Sequence, residues 1–219
     1  MPLTIKNFYK QWWKPWANTI AYFPFQTDKN NTISWWPTLS SSWATITTLD
    51  WVNCLYFDGT NLQAIDKWFR TTDITSWMCW IYGYSGVIME QRSTAWWNSD
   101  RILWISNWSF EYLRYQNSSA HITWPSISNN QWHCIGFTED SSWGKIFLDS
   151  NPSAVWTNSS IRDFSNLTTN TWIGCRMDNG NLSSGATWYL AQLVLMDSSI
   201  TIDDFLDFYN QTKSLYWIS

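Results

Sequence analysis

Gln131-Trp-His-Cys-Ile-Gly-Phe-Thr-Glu-Asp140-Ser-Ser-Trp-Gly-Lys-Ile-Phe-Leu-Asp149 holds two strand-sized runs, 132–139 and 144–149, on either side of a short polar turn. In the second run Ile146 and Leu148 alternate with Lys145, Phe147 and Asp149. Successive strand residues point to opposite faces, so this spacing offers one apolar face to a core. Working outward, similar runs rich in β-branched and aromatic residues recur at 18–25, 44–49, 52–57, 62–66, 74–83, 86–92, 101–106, 109–116, 120–124, 153–157, 171–177 and 187–197. That is fourteen short strands separated by turn signals, which predicts an all-β chain of two stacked antiparallel sheets.

Asp58-Gly59 reads as the turn of a hairpin joining 52–57 to 62–66, because both residues tolerate left-handed backbone. Leu193 and Leu195 alternate with Gln192, Val194 and Met196 and offer a second one-sided strand. The helical period occurs near the C-terminus, where Ile202, Phe205, Leu206 and Tyr209 follow the i, i+3, i+4, i+7 spacing. Thr201 and Asp204 form a capping box with Asp in place of the usual Glu or Gln, and this one short helix is expected on the sandwich edge.

The length of 219 residues suits one domain, here 18–219, preceded by an arm or linker at 1–17 that shows no strand period. Thirteen basic and 17 acidic side chains give a net charge of −4, which argues against a nucleic-acid partner. No apolar run approaches the roughly 18 residues that a membrane span needs, and the opening residues lack the apolar core of a signal peptide. Cys54, Cys79, Cys134 and Cys175 are far apart and each sits in a β-like run, so buried free thiols are expected rather than metal pairs or staples.

Tryptophan is the anomaly, with 21 residues against 8 glycines. Doublets at Trp12-Trp13, Trp35-Trp36 and Trp96-Trp97, and singles such as Leu-Asp50-Trp51-Val and Ser-Ser-Trp143-Gly, stand where a β-rich chain normally turns on glycine. We read seventeen of them, at 12, 13, 16, 35, 36, 43, 51, 68, 77, 96, 97, 104, 108, 124, 143, 156 and 217, as glycine positions. That moves glycine from 8 to 25 and tryptophan from 21 to 4. The expectation is an alternative genetic code in which UGA encodes glycine. Its rival is a truly tryptophan-rich protein using aromatic platforms for sugars.

The stretch 131–149, with its Trp-His opening and its Leu-Asp end, resembles the central hairpin of the concanavalin A-like, laminin-G-like jelly rolls. Leu55-Tyr-Phe-Asp-Gly59, Asp73-Ile-Thr-Ser-Trp-Met-Cys-Trp80, Thr171-Trp-Ile-Gly174 and Tyr189-Leu-Ala-Gln-Leu-Val-Leu-Met-Asp197 with the following helix are similar to further motifs of that superfamily, in order, over about 18–214. The resemblance implies a two-sheet jelly roll. Its calcium sites use loop carboxylates and carbonyls, which makes Asp28, Asp58 and Asp197 candidate calcium donors beside their ordinary turn-forming role. Ala191-Gln192 departs from the acidic pair common in the family's last strand and weakens that transfer.

Glycoside hydrolysis needs two facing carboxyl groups, and the glucanase relatives place them two or four apart on one strand. Glu90, Glu111 and Glu139 have no carboxylate at either spacing, so an enzyme is not expected. His133 reads as packed beside Trp132, and His121 belongs to no catalytic pattern. Recognition remains. Trp80 and Tyr82 share a face, and Glu90, Arg92, Glu111 and Tyr115 are expected on neighbouring strands, where stacking and charged hydrogen bonds would hold a glycan.

The sequence therefore predicts a non-catalytic glycan-binding or adhesive module. Its expected partners are a cell-surface polysaccharide and other virion or surface proteins. The glycine-like arm and the absent signal peptide suit a phage virion or tail protein that reaches the extracellular surface by lysis. A ligand-free homo-oligomeric structural subunit and a divergent glycoside hydrolase are the alternatives.

Overall fold

A computed structural model describes residues 15–25, 32–33, 44–59, 63–64, 75–83, 86–92, 98–106, 109–116, 120–123, 127–128, 130–139, 144–151, 157–158, 171–174, 176–178, 181–183 and 187–218, several outer strands by backbone alone. The strands are β1 (Thr19–Phe23), β2 (Thr45–Leu49), β3 (Val52–Asp58), β4 (Gln63–Ala64), β5 (Ser76–Gly83), β6 (Gly86–Arg92), β7 (Asn98–Ser106) and β8 (Ser109–Gln116). They continue with β9 (Ala120–Thr123), β10 (Trp132–Glu139), β11 (Gly144–Leu148), β12 (Thr157–Asn158), β13 (Thr171–Ile173), β14 (Arg176–Asp178), β15 (Asn181–Ser183) and β16 (Thr187–Met196). Helix α1 (Ile202–Thr212) runs into a 3-10 turn, Lys213–Tyr216.

The large sheet has the order β12-β11-β10-β5-β16-β3-β2, with β1 also paired to β16, and the second sheet has the order β4-β13-β6-β7-β8-β9. All the pairings are antiparallel, and the predicted hairpin 132–149 is present, with Ile135 opposite Leu148 and Glu139 opposite Gly144. The chain is an all-β sandwich with one short C-terminal helix, as its pattern implies.

Alternation divides the large sheet between two apolar layers. Trp77, Cys79 and Ile81 of β5, Ile135 and Phe137 of β10, and Ile146 and Leu148 of β11 face the second sheet, where they meet Ile88, Met89 and Ile173. Met78 and Trp80, with Trp132, Cys134 and Phe147, face the opposite way and pack under α1 against Phe205, Phe208 and Tyr209. Strand β16 likewise supplies both layers, and a bulge switches its alternation midway. Ala191 pairs with Trp80 and Val194 with Met78, so one residue is extra, and Gln192 takes a φ of 51°. Trp188 and Leu190 before it, and Leu193 and Leu195 after it, thereby point the same way.

Two expectations are corrected. The helix lies across the outer face of the large sheet rather than on an edge, and its buried stripe is Phe205, Phe208, Tyr209 and Thr212. The capping box itself is present: Asp204 N–H donates to Thr201 Oγ1 at 3.2 Å and Thr201 N–H to Asp204 Oδ2 at 2.8 Å. Asp58-Gly59 does not close a hairpin. Strand β3 pairs with β2 and β16, whereas β4 pairs with β13, so the turn with Gly59 at φ 88° carries the chain into the other sheet.

Side chains anchor the link between β16 and α1. Ser76 Oγ donates to the Ser198 carbonyl at 2.7 Å, which leaves the Thr138 hydroxyl to donate to Ser76 at 2.7 Å while it accepts from Ile200 N–H at 3.0 Å. Close approach requires glycine at three described positions, one of them Gly83, at φ 133°, where a Cβ would stand 2.7 Å from the Trp188 Cβ. A Cβ on Gly136 would stand 2.6 Å from the Phe205 ring, and one on Gly174, at φ 90°, would strike the Phe57 ring. Cys54, Cys79 and Cys134 are buried free thiols, as expected, while Cys175 lies outside the described residues.

Burial pushes the Cys54 thiol from 9.0 up to about 12 and raises Cys79 and Cys134 as well. The folded state therefore favours the neutral thiol. Its contribution is fully present below pH 9 and is lost as the pH climbs toward 12, so the urea midpoint should fall across that window. Gly174→Ala should cost at least about 3 kcal/mol in the same measurement, from overpacking plus left-handed strain.

Candidate functional site

A cavity of about 580 Å³ opens where α1 and the C-terminal segment overhang one end of the large sheet. Asp50 and Trp51 enter it from the β2–β3 turn, Tyr82 from β5, and Asn130, Gln131 and Trp132 from the approach to β10. Asp149 follows β11, and Tyr209, Tyr216, Trp217 and Ile218 close the opposite wall. The register explains the convergence, because Trp132 pairs with Tyr82 and Ile135 with Leu148. Its volume lies in the ordinary range for small-ligand clefts.

Backbone strain gathers at this cavity. Seven described non-glycine residues have positive φ, and five of them, Asp50, Trp51, Asn130, Asp149 and Trp217, line it. Such conformations cost about 1–3 kcal/mol each and concentrate at functional sites. Asp and Asn carry the strain most readily, since their short polar side chains suit left-handed backbone.

Asp149 is fixed in three ways. Its N–H donates to the Cys134 carbonyl at 2.9 Å, Oδ1 accepts Cys134 N–H at 2.8 Å, and Oδ2 accepts the His133 Nδ1 hydrogen at 2.7 Å. The other nitrogen of His133 is 3.0 Å from the Ser128 carbonyl, 3.1 Å from Ser128 Oγ and 3.3 Å from Gln131 Nε2. His133 is thus a packed residue that orients Asp149, in line with its sequence reading, and the 30% exposed carboxylate faces the cavity.

Tyr82 meets Trp132 edge-on at 5.6 Å and Tyr189 at 5.9 Å. Burial, with a contribution from Asp50, raises its phenol above the ordinary value, so at neutral pH the hydroxyl keeps its proton and can donate. The indole N–H of Trp132 and the hydroxyl of Tyr216, both from lining side chains, are buried without a hydrogen-bond partner among the described residues. Trp217 Nε1 donates to the Asp50 carbonyl at 3.1 Å and bridges the two sides of the rim.

The six residues expected to bind a glycan do not form one surface. Trp80 and Tyr82 share the outer face of β5, as predicted, but Trp80 is fully buried there, stacked on Tyr209 at 5.7 Å and Tyr216 at 4.1 Å. Its Nε1 donates to Thr212 at 2.9 Å, so no ring face is left for a sugar. Glu90 and Arg92 on β6 and Glu111 and Tyr115 on β8 belong to the other sheet, and β7 separates them, which corrects their placement on neighbouring strands. The side chains of these four lie outside the described residues.

Two of the three expected calcium donors do not meet. Asp28 lies outside the described residues, and Asp58 and Asp197 are exposed at opposite ends of the ten-residue β16, roughly 30 Å apart at strand rise. Among the described residues no three His, Cys, Asp or Glu side chains converge as metal ligands. Among the described residues Tyr82 is the one foreseen ligand-binding residue that lines the cavity. The missed ones had a signal in Leu49-Asp50-Trp51-Val52, an alternating hairpin with Asp first in its turn, and in Leu148-Asp149 at a strand end.

No protein-family model matches the chain, and no curated protein matches it. Solved structures share its fold. Domain 4 of AbnA, a GH43 extracellular arabinanase from Geobacillus stearothermophilus in complex with arabinotriose, superposes with a TM-score of 0.69 at 12% identity, over 88% of this chain and 98% of that one. The receptor-binding domain of botulinum neurotoxin D gives 0.65 at 12% identity, over 88% and 52%. Trypanosoma rangeli sialidase in complex with sialic acid gives 0.70 at 10% identity, over 92% of this chain but 34% of the enzyme. The chain thus spans about half of the toxin chain and a third of the sialidase. At these identities the likeness establishes a shared β-sandwich.

The Trp80 contacts make a structural prediction. Thr212→Val should leave the buried indole N–H without an acceptor and cost about 1–3 kcal/mol, read as a lower urea midpoint. Trp80→Ala should cost about 3–5 kcal/mol through the cavity that it leaves.

Proposed function

We propose that the chain is a non-catalytic carbohydrate-recognition module that binds through the cavity beneath its C-terminal helix. The carrying observation is the meeting there of Tyr82, an aromatic edge with a protonated hydroxyl, with the exposed amides of Asn130 and Gln131 and the fixed carboxylate of Asp149. Apolar ring surface beside a few convergent polar groups is what a sugar requires, C–H faces against the ring and hydroxyls to the polar atoms. Neighbours whose names include an arabinotriose complex and a sialidase with sialic acid support carbohydrate as the ligand class.

Among the described residues no Lys or Arg lines the cavity, whereas Asp50 and Asp149 do. This favours neutral or amino sugars over sialylated and other acidic glycans, because two carboxylates would repel a third. Trp51 and Trp217 receive no stacking role in this reading, since both stand on left-handed backbone. A recognition role over hydrolysis is supported by the glutamates: Glu90, Glu111 and Glu139 lie on three strands, the last in the other sheet.

The biological setting we infer is an extracellular or virion surface, where the module attaches to a cell-surface polysaccharide alongside other virion or surface proteins. A homo-oligomeric structural subunit without ligand is the second reading. A glycan array on the full chain separates the two. Retention of neutral or amino sugars, weakened about 3–10-fold by Gln131→Ala and by Tyr82→Ala, is the expected result, the loss of one hydrogen bond or ring contact. An inert array with a defined oligomer in solution would favour the structural subunit, and turnover of a bound β-glucan would restore the hydrolase.

A further inference from the structure

The β2–β3 hairpin pairs Leu49 with Val52 and leaves a two-residue loop, Asp50-Trp51. Both loop residues have positive φ, 48° and 65°, the requirement of the type I′ turn that fits strand twist. Asp-Gly is the preferred pair for such a loop because glycine takes the second left-handed position without a Cβ clash. The other end of the cavity repeats the situation. Trp217 follows the 3-10 turn at φ 60° and ψ 22°, with its N–H on the Lys213 carbonyl, and Ile218 N–H reaches the same oxygen at 3.3 Å. A left-handed residue directly after a helical turn is the commonest place for glycine at a helix end.

Burial separates these two from the other bulky residues with positive φ. Phe25 and Gln192 are almost wholly buried, so packing around them offsets the strain. Trp51 and Trp217 are 80% and 74% exposed, and the Trp217 bridge to the Asp50 carbonyl is itself a solvent-exposed bond. The tryptophans on ordinary backbone behave differently. Trp80, Trp132 and Trp188 are buried, and so is Trp77, which packs against Phe137 at 6.0 Å. The packing thus speaks for tryptophan at 77, against its place among the seventeen expected glycines, and the backbone speaks for glycine at 51 and 217.

We infer that residues 51 and 217 are glycines in the protein as its source makes it, encoded by a codon that reads as tryptophan in the printed sequence. The assignment rests on backbone geometry and burial, independently of the carbohydrate reading. Its consequence for the site is direct. Glycine at both positions removes the two indoles that flank the cavity and the bridge across its rim, and leaves a wider cleft floored by Tyr82, Trp132 and Tyr216.

Two measurements test it. Peptide mass spectrometry of the protein purified from its native source should show glycine masses at 51 and 217, and tryptophan masses at both would overturn the inference. In the 219-residue chain made with tryptophan, Trp51→Gly and Trp217→Gly should each raise Tm by about 2–4 °C, while Trp51→Ala and Trp217→Ala, which keep the Cβ, should not. Trp77→Gly, on ordinary strand backbone, should lower Tm by roughly 10 °C. If glycine at 51 and 217 lowers Tm, or if alanine raises it equally, the strain is held for the indoles themselves and the assignment fails.

Discussion

The indole of Trp80 lies against Tyr209 and Tyr216 and spends its one hydrogen on Thr212, so a single side chain of the central strand fixes the whole C-terminal segment to the sheet. Thr212 passes its own hydrogen to the Phe208 carbonyl at 2.6 Å, which leaves neither partner wanting inside an apolar layer. Phe205 settles beside it, on the bare backbone of Gly136 and against Phe147 at 5.3 Å. The overhang of α1 above the sheet end, and hence the cavity, follows from that docking. A helix placed on an edge would leave Tyr82, Asp149 and the β2–β3 turn on an open surface.

The cavity divides its labour between rigid and polar parts. The Asp149 carboxylate is held by the Cys134 N–H and by His133 before any ligand arrives, so it is oriented at no further cost in side-chain freedom. Asn130 and Gln131 come from the approach to β10, where specificity can change without disturbing the sandwich. Tyr82 is braced edge-on by Trp132 and Tyr189, which limits its motion to that of the sheet. Polar atoms are thus set in place around an aromatic floor before any ligand enters.

Strand periodicity made the sandwich legible. Ile146 and Leu148, or Leu193 and Leu195, announce a one-sided strand from spacing alone, and the structure places all four between the sheets. The same spacing concealed the second apolar layer, because Trp80 and Tyr82 read as an open face until the helix is known to lie over it. Trp80 was misjudged for that reason. The Asp58-Gly59 turn was misread because a turn records a change of direction and not which sheet receives the next strand. The bulge at Gln192 has no local signature, since the extra residue shows only against the partner strand. Residues of the site come from five separate stretches, and only the fold brings them together.

The three described cysteines also carry a meaning beyond packing. Cys54, Cys79 and Cys134 are sealed in the two apolar layers as thiols, with burial holding each one protonated. No cross-link joins these three. Their chemistry is therefore tied to opening of the fold, because an oxidant or alkylating reagent reaches these three sulfurs only when the layers part.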